Sequence, residues 1–140
     1  MKFNPLLNAI TRGAWAVHPA VAEMYLPVVG RVLNGEVGFH GADATTDLPS
    51  FVAGGRTFGM SNWTDLDNVP EGSTAVIPVS GPIMKNSQSC GPTGTQTIAA
   101  WVAKADAHEN VSTILFKIDS PGGMVDGTQT LVDAIAKTQT

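Results

Sequence analysis

Ile114-Leu115-Phe116-Lys117-Ile118-Asp119-Ser120-Pro121-Gly122-Gly123-Met124 is the stretch on which the fold turns. Its first half is a nearly continuous apolar run, the pattern of a strand buried in a parallel sheet. A proline and two glycines follow, and then a helical pattern from about Asp126 to Thr138 with Leu131 and Ile135 on its apolar side. Open α/β sheets place their sites at the carboxyl ends of such strands. Two glycines admit positive φ and a close backbone approach, so their amides can point at a developing oxyanion or pair with an extended peptide. Pro121 fixes one dihedral of the turn, the following helix adds its positive end, and Ser120 is placed to hydrogen-bond the turn. The plainer reading is an ordinary strand-to-helix turn, because short motifs recur by chance.

Working backwards, Asn110 breaks a helix that spans about Gln96 to His108, with Ile98, Trp101, Val102 and Ala105 on one face. Before it, Thr74-Ala75-Val76-Ile77-Pro78-Val79-Ser80 reads as a strand apolar on both faces, with Pro78 arguing for an edge or a bulge. Gly81-Pro82 turns the chain, Ile83 and Met84 can continue the sheet, and the polar loop from Asn86 to Thr95 ends in threonines suited to a helix cap. Strand, helix, strand and helix in that order predict an α/β domain with a parallel sheet. Two strands do not make a stable sheet alone, and a third is expected where the chain stops.

The preceding sequence divides in two. Residues 1–35 read as a helical segment: Asn4-Pro5 opens one helix and Gly13 stops it. Trp15-Ala16-Val17-His18 is extended, and Pro19 opens a second helix to about Asn34, with Val21, Met24, Tyr25, Val28, Val29, Val32 and Leu33 at helical spacing and Pro27 set to kink or split it. That amphipathic face calls for a hydrophobic partner surface. Residues 36–72 lose periodicity and read as a linker or irregular arm. Residues 73–140 form the α/β part.

Composition excludes several functions. The chain has 140 residues, 8 Lys+Arg against 12 Asp+Glu, and a formal net charge of −4. Without a basic cluster it lacks the electrostatic footprint of a nucleic-acid binder. Only 14% of residues are charged, against roughly 25% in an ordinary soluble domain, which points to surface hidden against a partner or a missing part of the chain. One cysteine permits no internal disulfide, zinc quartet or redox pair. No window is long and apolar enough for a membrane span, and the apolar stretch at the start is too short for a signal peptide, so a cytoplasmic location is expected.

Among single residues, Cys90 lies in a loop with no histidine or basic group near in sequence to activate it. His18, His40 and His108 are too scattered for a metal set or a triad, and His108 suits a helix C-terminus. Gly91-Pro92-Thr93-Gly94-Thr95 lacks the lysine of a phosphate loop, so no cofactor is expected. Lys85 is placed either to line a substrate channel or simply to be solvated. Trp15, Trp63 and Trp101 read as packing groups.

The pairing of Val76-Ile77-Pro78-Val79-Ser80-Gly81-Pro82-Ile83 with Ile114-Leu115-Phe116-Lys117-Ile118-Asp119-Ser120-Pro121-Gly122-Gly123, one helix between, resembles the opening half of the signal peptide peptidase SppA family of serine peptidases. The resemblance covers about residues 73–140 and implies an incomplete crotonase/ClpP-like domain. The soluble phage and prophage peptidases that process capsid or scaffold proteins are the most similar branch, since they share a stretch like Arg12-Gly13-Ala14-Trp15-Ala16-Val17-His18-Pro19 and lack a membrane anchor.

By resemblance, Gly122 and Gly123 match the oxyanion-hole segment beside the scissile peptide, supported by the turn Ser120-Pro121, and Ser120 matches a serine that is not the nucleophile. The family's nucleophilic serine and its lysine base lie after this segment, and no residue here corresponds to either. The resemblance therefore implies the N-terminal portion of a serine endopeptidase with its dyad beyond residue 140, a polypeptide substrate such as a capsid or scaffold protein, and a homo-oligomer, while the 140 residues alone are expected to be inactive. Two alternatives stand beside it: a truncated remnant or assembly module without activity, and a crotonase-type acyl-CoA enzyme, which shares the fold but for which no adenine-binding feature is found.

Overall fold

A computed structural model of the chain describes residues 13–34, 48–59, 68–87 and 93–138; the helix expected from Asn4, together with His40, Trp63 and Cys90, lies outside them. In chain order the elements are β1 (Trp15–Val17), α1 (Pro19–Leu33), β2 (Ser50–Ala53), β3 (Arg56–Gly59), β4 (Ser73–Ser80), α2 (Thr95–Asp106), β5 (Val111–Asp119), β6 (Gly122–Met124) and α3 (Thr128–Thr138). Helices and strands are mixed, as the alternating pattern predicts.

β4 organises the core. Its β-branched and small apolar residues suit a pleated surface, and alternation turns Ala75, Ile77 and Val79 to one face, where all are buried. Against that face α2 sets Ile98, Trp101, Val102 and Ala105, the stripe expected from their spacing. Burial of one such side chain stabilises by about 1.5–3 kcal/mol. β5 lies parallel to β4, with Ile77 opposite Phe116 and Ser80 opposite Asp119. The helix α3 contributes Leu131 and Ala134 to the margin of the core.

The largest correction concerns the arm. Residues 36–72 were expected to be irregular, yet β2 and β3 form an antiparallel hairpin there, and the main sheet has the order β3-β2-β4-β5. The hairpin closes on Gly54-Gly55, both at positive φ (57° and 75°), as a two-residue turn between right-twisted strands requires. Phe51 of β2 is buried beside Val69, Ala75 and Ala105. The sheet is therefore mixed, and an antiparallel hairpin covers the flank of β4 that two parallel strands alone would leave bare.

Smaller differences have local causes. Pro78 sits in an internal strand, but β2 pairs only with Thr74, Ala75 and Val76, so at Pro78 the single neighbour is β5 and the position is edge-like. The irregularity in β4 falls at Ser73/Thr74 instead. Pro27 is accommodated within α1, which runs through it as one helix. Met24 and Leu26 on α1 are 66% and 65% exposed. The cap of α2 is Gly94, with no side-chain cap bond; the Gly94 amide donates to Ser87 Oγ at 2.9 Å, and those of Thr95 and Gln96 donate to the Met84 and Lys85 carbonyls at 2.7 and 3.3 Å. A loop backbone thus does the work expected of a threonine. β5, read as fully buried, is an outer strand whose Leu115 and Ile118 are 53% and 68% exposed.

Candidate functional site

The turn that follows β5 does not lead directly into a helix. Residues 122–124 form a strand of their own, β6, and α3 starts only at Thr128, so the helix end stands further from the glycines than the sequence pattern implied. Ser120 organises the entry: its Oγ accepts the Gly122 amide at 3.2 Å and lies 3.3 Å from the Gly122 carbonyl, to which it donates. Its hydroxyl is engaged in the turn, as the sequence suggested.

β6 lies between two other backbones. On one side the Ile83 amide donates to the Gly122 carbonyl at 2.9 Å, and the Met124 amide donates to the Ile83 carbonyl at 2.8 Å, forming a parallel bridge between Ile83 and Gly123. Ile83 thus continues into β6 and not into the main sheet. On the other side β1 pairs antiparallel, with Trp15 opposite Met124, Ala16 opposite Gly123 and Val17 opposite Gly122. The His18 amide donates to the Pro121 carbonyl at 3.0 Å, and the Val125 amide donates to the Ala14 carbonyl at 2.9 Å. Bonds at those flanking positions make Ala16 and Gly123 a hydrogen-bonded pair, so the Gly123 amide faces the Ala16 carbonyl.

This packing explains both glycines. Gly122 has φ +107°, and a Cβ there would run into the Ala16 carbonyl oxygen. A Cβ on Gly123, which is buried, would run into the Ile83 backbone. Glycine is required twice, once for each neighbouring chain.

The charged groups nearby are few. Lys85 Nζ lies 3.4 Å from Asp126 Oδ2 in an exposed ion pair, the lysine side chain 40% and the aspartate 64% accessible. Below it Gly127 leaves no room for a Cβ, which would stand 2.9 Å from both Lys85 Cβ and Thr95 Oγ1. Thr95 is fully buried and its hydroxyl has no hydrogen-bond partner. His108 sits apart, beyond the end of α2, where Nδ1 accepts the Asn110 amide at 3.1 Å. Among the described residues no group of three or more His, Cys, Asp or Glu is placed to hold a metal ion, and no helix is long and apolar enough to cross a membrane.

The structure thus brings Ser120, Pro121, Gly122 and Gly123 together as one turn and strand, and adds Ala14, Ala16, His18 and Ile83, which the sequence did not single out. These four act through backbone atoms, and only the extended pattern of Trp15-Ala16-Val17 hinted at them. Seen chemically, β6 is a short strand whose outer edge offers the Pro121 carbonyl, the Gly123 amide and carbonyl, and the Val125 amide to an extended peptide. No protein-family model matches the chain, and comparisons with curated proteins and with solved structures likewise give no match.

Proposed function

We propose that the chain is the N-terminal portion of a serine endopeptidase of the SppA type, with a crotonase/ClpP-like domain, acting on a polypeptide such as a phage capsid or scaffold protein. One observation carries this reading: β5 delivers Ser120-Pro121-Gly122-Gly123 as a strand on which an extended segment lies antiparallel, with the Gly123 amide facing a peptide carbonyl. An oxyanion donor must stand in that relation to a scissile carbonyl, and loss of one such donor typically costs about 10²–10³ in kcat. The nucleophilic serine and its lysine base belong, on this reading, to chain beyond residue 140. Ser120 is tied into its turn and Lys85 is paired with Asp126, so neither takes these roles. The complete enzyme is a cytoplasmic homo-oligomer.

A second reading is favoured by the same strand. Both edges of β6 are occupied by the chain's own backbone, which suits an assembly module that hydrolyses nothing. Intact mass of the native product, combined with labelling by a serine-directed fluorophosphonate, separates the two. A product larger than 140 residues that takes the label supports the peptidase. A product ending at Thr140 that takes none overturns it.

A further inference from the structure

The outer edge of β6 is filled by a segment that is distant in sequence, very short, and held through backbone atoms. β1 has three residues, and its pairing with β6 forms a two-stranded sheet separate from the main one. Two-stranded ribbons of this size are marginal in water. The partner strand contributes two glycines, so side-chain packing across the pair is confined to Met124 opposite Trp15. A segment held in this way is exchangeable for another extended peptide that offers the same donors and acceptors.

We infer that the edge of β6 is a binding site for an extended polypeptide in trans, and that residues 14–18 occupy it in this structure as a resident ligand of the same kind. The bonds define the site: a ligand strand donates to the Pro121 carbonyl, exchanges two bonds with Gly123 and accepts from the Val125 amide, as residues 14–18 do. The occupant also shows the side-chain preference. Trp15 and Val17 are half-buried while Ala16 between them is exposed, so the site takes apolar residues at two alternate positions and is indifferent at the one between. Opposite Val17 stands Gly122, with no side chain, leaving room for a branched residue on the ligand. This inference goes beyond the peptidase reading, because it concerns binding and stands whether or not any product of the gene cleaves a peptide.

The test uses the full chain and a fluorescent heptapeptide of residues 13–19, Gly-Ala-Trp-Ala-Val-His-Pro. Ala16→Pro removes the amide that pairs with the Gly123 carbonyl and so releases the resident strand. The variant should bind the heptapeptide at least tenfold more tightly than the unmodified chain, where the tethered strand competes at high effective concentration. A heptapeptide with aspartate in place of tryptophan and valine should not bind. The absence of saturable binding to a variant that keeps its thermal transition overturns the inference, as does equal binding to both proteins or to the aspartate peptide.

Amide exchange on the unmodified chain tests the same idea without a substitution. Excess heptapeptide should slow exchange at Gly123 and Val125 and speed it at His18, whose acceptor the peptide takes over. Parallel slowing at all three, or no change in any, overturns the inference. Neither readout requires catalysis, so a failure of fluorophosphonate labelling leaves these results intact, and a failure here leaves the labelling result intact.

Discussion

β4 and β6 are both strands with a neighbour on either side, but they are held by opposite means. β4 is held by what its side chains bury: Ala75, Ile77 and Val79 fit against Ile98, Val102 and Ala105, and the neighbouring strands β2 and β5 follow its register. β6 is held by what its side chains lack, since Ile83 and Ala16 approach its backbone only because Gly122 and Gly123 have no Cβ. Removing atoms damages the first kind of strand and adding them damages the second. The contrast separates the part of the molecule that provides stability from the part that presents a backbone edge.

Three substitutions sharpen or break that contrast. Ile77→Ala, at a position with no exposed surface, should have the largest effect, lowering stability by about 2–5 kcal/mol in denaturant unfolding. A loss below about 1 kcal/mol would mean that β4 is not the centre of the core. Gly123→Ala should cost about 1–3 kcal/mol, from a Cβ forced against the Ile83 backbone. Its amide-exchange signature should be local, with faster exchange at His18, Met124 and Val125 and unchanged protection at Ile77; uniform loss of protection would show the two regions to be one cooperative unit. Thr95→Val should have the smallest effect, within about 0.5 kcal/mol of zero or slightly stabilising, because the buried hydroxyl makes no hydrogen bond that the methyl would forfeit. A loss above about 1 kcal/mol would reveal a partner for that hydroxyl.

The elements legible in the sequence are those whose own residues bury something. The stripe Ile98, Trp101, Val102 and Ala105 marked α2, and the apolar runs marked β4 and β5, because periodicity records which side faces the core. The hairpin β2–β3 had a signal too, Gly54-Gly55 between Phe51-Val52 and Thr57-Phe58, but its strands are only four residues long and stand in a segment rich in glycine and polar residues. The exposure of Leu115 and Ile118 was not legible, since composition reports that a strand is apolar and not whether a neighbour lies beside it. At the site, Ser120, Pro121, Gly122 and Gly123 stood out as a motif, and their joint placement follows from chain continuity. Their partners Ala14, Ala16, His18 and Ile83 did not, because they bond through backbone atoms that every residue carries.

The register of Ala16 against Gly123 also sets a schedule. Roughly a hundred residues separate the two, one of the longest loops this chain can close, and pairings of such separation form late. On a ribosome adding about 5–20 residues per second, the Trp15–Val17 segment emerges roughly 5–20 s before the strand it pairs with. Throughout that interval an aromatic, extended segment has its backbone uncovered beside a growing chain. The newborn protein therefore passes through a stage in which its N-terminal strand is available to whatever else binds extended peptides, and docking onto β6 ends that stage.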